Sequence, residues 1–175
     1  KLATKLLYKT VDLAKECEYY GILHECLVAL RDIYATTYRP KLFQATQQEI
    51  AENKKLLDKE EEAGAIFYEC KLQLNSSLTN RKKDLKPFHK GLQKLKKLAD
   101  ETGSVNIFIQ YVKLTIWLLE QEGQFEKALA FIEELENNFR KGKLNLARFD
   151  VSILRISKLY SFLKLKRHSE GLALA

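Results

Sequence analysis

Apolar side chains recur every three or four residues along almost the whole chain, and alternation with period two is nearly absent. That spacing puts them on one stripe of an α-helix and gives no run that reads as a half-buried strand. Only 2 prolines and 7 glycines interrupt the 175 residues, so the stripes are long and the breaks are few. A chain of this length buries roughly 70% of the surface it exposes when unfolded, enough for a real core. With 46% apolar and 30% charged residues it has the balance of a folded, all-helical protein, not of a disordered one.

The stripes and breaks predict helices over about 2–19, 22–36, 42–74, 84–98, 105–121, 125–140 and 147–163, with an eighth beginning near His168. Tyr20-Gly21, Tyr38-Arg39-Pro40, Thr102-Gly103-Ser104 and Glu122-Gly123-Gln124 are the expected breaks, and Gly142 closes the sixth helix. The segment 42–74 is overlong, about 50 Å if unbroken at 1.5 Å per residue. Gly64 marks a kink or a close contact within it, and the polar run Asn75–Asn80 reads as a loop. Asp84 caps the next helix, with Pro87 in its first turn. The helix 105–121 is apolar on most sides and belongs inside the structure.

Eight helices in four pairs suggest a repeat. The second helix of each pair carries a bulky residue, a small one three later, then apolar residues four and seven beyond that. The copies are Leu23-x-x-Cys26-x-x-x-Leu30-x-x-Ile33, Phe88-x-x-Gly91-x-x-x-Leu95-x-x-Leu98, Phe125-x-x-Ala128-x-x-x-Ile132-x-x-Leu135 and His168-x-x-Gly171-x-x-x-Ala175. A small residue lets the neighbouring helix come close, and the apolar pair fills the groove beside it. The segment Glu122-Gly123-Gln124-Phe125-Glu126-Lys127-Ala128-Leu129-Ala130-Phe131 resembles the turn and second helix of a tetratricopeptide repeat. Looser copies start at Tyr20 and Lys166. The small positions are 65, 37 and 43 residues apart, against a family period of about 34. The layout is also similar to bacterial helical-repeat proteins with one overlong helix.

The resemblance implies one tetratricopeptide-like domain over 1–175, built as a right-handed α-α superhelix of about four helix pairs; a start other than Met and the apolar string Gly171–Ala175 at the end read as a piece of a longer chain. It also implies that the first helix of each pair lines a concave groove. On that mapping Tyr8, Lys15 and Tyr19 face the groove from the first pair, Lys113, Trp117, Glu120 and Gln121 from the third, and Tyr160 and Lys164 from the fourth. Tyr, Trp and charged residues suit a binding surface. For Trp117, packing in the core of an apolar helix is the other reading.

Charge supplies the alternative. The net charge is +7, and the window 81–97 alone carries +7, with eight basic residues against Asp84. Lys83, Lys86, Lys90, Lys94 and Lys97 are spaced three, four, four and three, so they share a helix face. Leu85, Phe88, Leu92, Leu95 and Leu98 take the opposite face. Such a strip is either an anion-binding surface, for polyanions or nucleic acid, or an ordinary solvated face. Only Arg81 among the eight is an arginine, which disfavours base-specific reading.

No Gly-rich phosphate loop, Gly-x-Ser-x-Gly elbow or His-Glu-x-x-His pair occurs. Cys17, His24 and Cys26 lack the spacing of a metal site, and the two cysteines fall on apolar stripes. No catalytic residue, metal or cofactor is therefore assigned. Three cysteines without regular spacing point to a reducing, cytoplasmic setting. No apolar run nears the ~18 residues of a membrane span. The expected function is a non-catalytic scaffold that holds a peptide or partner helix in its groove. The flank of the last helix leaves homo-oligomerisation open.

Overall fold

The computed structural model describes residues 2–79, 85–141 and 149–175, by backbone alone over 74–79. Among them it forms eight helices and no strand: α1 Leu2–Glu16, α2 Tyr20–Thr36, α3 Pro40–Thr79, α4 Lys86–Thr102, α5 Val105–Gln121, α6 Phe125–Arg140, α7 Ser152–Lys164 and α8 His168–Leu174. The chain divides into two compact units, Lys1–Glu62 and Ala63–Ala175, and α3 contributes to each.

In the first unit, Val11 and Ala14 of α1 pack with Leu23, Cys26, Leu27, Leu30 and Tyr34 of α2 and Ile50 of α3. Two polar links tie α3 to this core. Lys15 Nζ meets Glu49 Oε2 at 2.7 Å, and Asn53 Nδ2 donates to the Tyr20 carbonyl at 2.9 Å.

In the second unit α5 is central. Its Ile107, Leu114 and Leu118 join Ala63, Phe67 and Cys70 of α3 and Phe88, Leu95, Leu98 and Ala99 of α4. Its Val112 and Ile116 point into a separate cluster with Ile132, Leu135 and Phe139 of α6, Phe149, and Leu154 of α7. One helix serving two cores needs apolar residues on most sides, which is the pattern its sequence shows. Helix α5 begins where Gly103 takes a left-handed conformation (φ 64°) and the Ser104 hydroxyl accepts from the Ile107 amide.

Four other junctions share a single turn. In each, a left-handed residue follows the helix: Glu18 (φ 55°), Tyr38 (φ 52°), Gly123 (φ 72°) and Lys166 (φ 59°). The next amide then bonds back five residues: Tyr19 to Ala14 at 2.8 Å, Arg39 to Tyr34 at 2.9 Å, Gln124 to Leu119 at 2.8 Å and Arg167 to Phe162 at 2.9 Å. This is the 6→1 bond of a Schellman cap, which satisfies carbonyls the helix end would leave bare.

The shared turn corrects two sequence readings. Helix α1 ends at Glu16, and the break is Cys17–Tyr19; Tyr20-Gly21 already lies in α2. Aligning on the turns also matches Tyr20, not Leu23, with Phe125 and His168, so the first repeat copy slides by three residues. The small residue at that junction is then Ala14 on α1 opposite Leu23 on α2, both buried in the same cluster. At the last junction the sizes exchange. Gly171 sits on α8, where an added Cβ would come 3.6 Å from Phe162 Cβ.

Other boundaries also move. Helix α3 is 40 residues long and continues through Asn75–Thr79, where a loop was expected; Asn80 and Asp84 lie outside the described residues. Ser and Asn cost a helix only about half a kcal/mol each, so a polar run need not end one. Helix α3 passes Gly64 without a break, and nothing lies within 4 Å of where its Cβ would stand, so no close contact explains that glycine. Helix α4 starts after Leu85 with Pro87 in its first turn, as expected, but runs to Thr102. Helix α7 starts only at Ser152, where the Asp150 carboxylate accepts from the Ser152 amide at 3.0 Å. The Gly142 stop and the start of the expected seventh helix at Ala147 lie outside the described residues.

Candidate functional site

Of the nine groove residues inferred from sequence, Tyr8, Lys15 and Tyr19 belong to the first unit and the other six to the second. Lys15 is engaged by Glu49, and the Tyr8 hydroxyl bonds to the hydroxyl of buried Tyr34. Tyr19 stands in the turn between α1 and α2, with an exposed ring.

The six in the second unit lie on α5 and α7. Lys113, Trp117, Glu120 and Gln121 follow one face of α5 and are all half-buried. Glu120 bonds to the Ser157 side chain of α7, and Lys113 acts through space on Asp150, just before α7. The short link Glu122–Gln124 folds α6 back along α5, and α6 is antiparallel to α7, so α5 and α7 run parallel. Helix α6 runs the other way between their ends. Glu136 pairs with Lys158 at 2.9 Å, and Glu126 with Arg167 at 3.4 Å. Tyr160 stacks edge-on against Phe125 with centroids 5.9 Å apart, and Lys164 lies 5.2 Å over the Tyr160 ring.

Trp117 falls between its two readings. Its ring packs 5.5 Å from buried Phe67 of α3, yet it remains partly exposed. The partners Phe67, Ser157 and Glu49 were not found from sequence. Each is an ordinary residue at a distant position, and no local spacing marks it.

Burial pushes the Glu120 carboxyl above the usual range, and the Ser157 hydrogen bond only partly offsets this. A raised native pKa means that the folded protein holds the proton more tightly than the unfolded chain. The two states are equally protonated well below the ordinary glutamate pKa of about 4.3. Stability then falls as pH rises through that value, until the native carboxyl has ionised as well. Glu120→Gln should therefore be more stable than wild type at neutral pH and should converge with it in acid. Urea midpoints measured across that range test this, and a constant offset at every pH would contradict it.

The lysine strip has its own geometry. A cleft of about 420 Å³ opens between α3 and α4, with Lys86, Lys90 and Lys94 along one wall and Glu69 and Gln73 on the other. Cys70 and Gly91 also line it. Burial raises the Cys70 thiol above its ordinary pKa, which keeps it protonated and unreactive. Lys97 turns to Glu101 at 3.6 Å instead, and Lys83 lies outside the described residues. Phe88 is buried beneath the strip, as its position on the apolar face implied.

Among the described residues no three His, Cys, Asp or Glu side chains converge as metal ligands, and no helix is long and apolar enough to cross a membrane. All three cysteines are free: Cys26 and Cys70 are buried and Cys17 is half-buried. These features define an all-helical protein whose surface offers a polar, aromatic helix face and a lysine-lined cleft. Compared with protein-family models, with curated proteins and with solved structures, the chain shows no significant match.

Proposed function

We propose that the chain is a non-catalytic protein-interaction module. It would be a tetratricopeptide-like, right-handed superhelix whose binding side includes α5 and α7. The observation that carries this reading is the parallel pairing of α5 and α7 through Glu120 and Ser157, with antiparallel α6 linking their ends. Parallel first helices set side by side are what a helix-pair repeat requires. The ligand is an extended peptide or a partner helix, lying across Trp117, Glu120, Tyr160 and Lys164 and contacting both helices.

A second reading, binding of a polyanion such as nucleic acid, is favoured by one observation. Lys86, Lys90 and Lys94, all exposed, line one and the same cleft. Salt separates the two. Three lysine–phosphate contacts to a single strand give a slope of about −2 in log K against log salt, a loss of about a hundredfold per decade.

The test pans the full chain against a displayed peptide library and, in parallel, titrates it with labelled oligo-dT. The first reading expects enriched peptides that lose about tenfold or more in affinity to the pair Tyr160→Ala with Lys164→Glu. Those peptides should be unaffected by reversal of the three lysines to glutamate. Salt-sensitive oligo-dT binding that the reversal abolishes, with no enriched peptide, would move the function to the cleft.

A further inference from the structure

Two clefts of the first unit meet at Tyr34 and Arg39. One, of about 440 Å³, has Lys5, Tyr8, Tyr34, Thr37 and Arg39 in its walls. The other, of about the same volume (440 Å³), is apolar and is walled by Ala35, Tyr38, Pro40 and Phe43 beside the shared pair.

The first cleft is lined mostly by apolar surface, with a pair of tyrosines and two basic residues in its walls. Tyr34 is only 5% exposed, and its hydroxyl meets the Tyr8 hydroxyl. Two facing phenols can place only one proton between them. One O–H donates to its neighbour, and the other O–H has no acceptor among the described side chains. Both tyrosines line this cleft, together with Arg39 and Lys5. Burial and the Tyr8 contact push Tyr34 up to about 12, so its hydroxyl keeps its proton at any physiological pH. The one acid that acts on Tyr34 is Glu49, whose charge is met by Lys15 at 2.7 Å. In the adjoining cleft Tyr38 is 92% exposed and sits in the left-handed turn.

We propose that this double cleft is a binding site for a small oxyanion, phosphate or carboxylate, borne on a flat apolar body. The oxyanion accepts a hydrogen bond from the tyrosine pair and is met by the charges of Arg39 and Lys5. The body lies against Tyr38, Pro40 and Phe43. Nothing in the peptide-binding reading of α5 and α7 depends on this site.

The experiment titrates the full chain, ring-labelled at tyrosine for NMR, with phenyl phosphate, benzoate, inorganic phosphate and phenol. Saturable shifts of the Tyr8 and Tyr34 ring signals are expected with phenyl phosphate or benzoate, and the tighter of the two identifies the oxyanion. Phenol and inorganic phosphate should each bind about tenfold or more weakly, because each lacks half of the ligand. Arg39→Gln should weaken the tighter probe by about tenfold, and Lys5→Gln less. Both side chains are exposed, so the helix signal should not change. Tyr38→Ala should weaken the aromatic probes but not inorganic phosphate. No saturable shift with any probe up to about 10 mM would overturn the proposal. So would binding of phenol as tight as that of phenyl phosphate, or an Arg39→Gln protein that binds like wild type.

Discussion

Leu95→Ala should destabilise the second unit by about 2–5 kcal/mol. Leu95 is fully buried, in the cluster where α3, α4 and α5 meet, among Phe67, Phe88 and Leu114. Truncation removes the transfer free energy of the lost methyl groups and leaves a cavity whose walls belong to three helices, which limits collapse. The loss should appear as a lower urea midpoint with an unchanged slope. Amides of α4 and α5 should lose hydrogen-exchange protection. A cost below about 1 kcal/mol would mean that the cluster is not packed tightly around this side chain.

Gly91→Ala sets two effects against each other. Alanine favours a helix interior over glycine by up to about 1 kcal/mol. A Cβ at Gly91, however, would overlap the Cys70 sulfur, a short side chain buried in the same interface. Overpacking of this kind costs about 1–3 kcal/mol. The clash should win, with a net loss of about 1–2 kcal/mol. Cys70→Ala removes the obstructing atom, so the double variant should be more stable than the two single losses would add up to. Additive losses would show that α3 and α4 move apart instead of clashing. A stabilised Gly91→Ala would place the sulfur elsewhere.

Helix positions were largely legible in the sequence because a stripe of period 3.6 is a local signal, repeated over many residues. Helix ends were less so, and the shared turn shows why. Its geometry needs a left-handed residue, yet Glu18, Tyr38 and Lys166 fill that place in three of the four cases and only Gly123 is a glycine. A non-glycine there costs about 1–2 kcal/mol, which the backbone hydrogen bonds of the cap and the packing on either side offset. The rule that glycine marks a break therefore pointed to Gly21, three residues past the true one. The run Asn75–Thr79 erred the other way, because turn-forming composition is a weak signal beside an established helical ladder.

The candidate sites were legible only as faces. The spacing of Lys113, Trp117, Glu120 and Gln121 puts them on one side of a helix, and they lie there. What each side chain does depends on a distant partner. Tyr8 meets Tyr34 across 26 positions, and Lys15 meets Glu49 across 34. Such pairs follow from how helices cross, and no motif in either segment announces them.

The recurring turn also bears on how a chain like this can change length. Its joint is written in main-chain hydrogen bonds and one dihedral, and four different sets of side chains satisfy it. Gly123 and Lys166 stand 43 positions apart, and the stretch they bound begins and ends in the same local conformation. A stretch bounded in that way is a cassette. It can be copied, deleted or exchanged between related chains without a new joint having to be invented, and only the apolar faces on either side must be refitted.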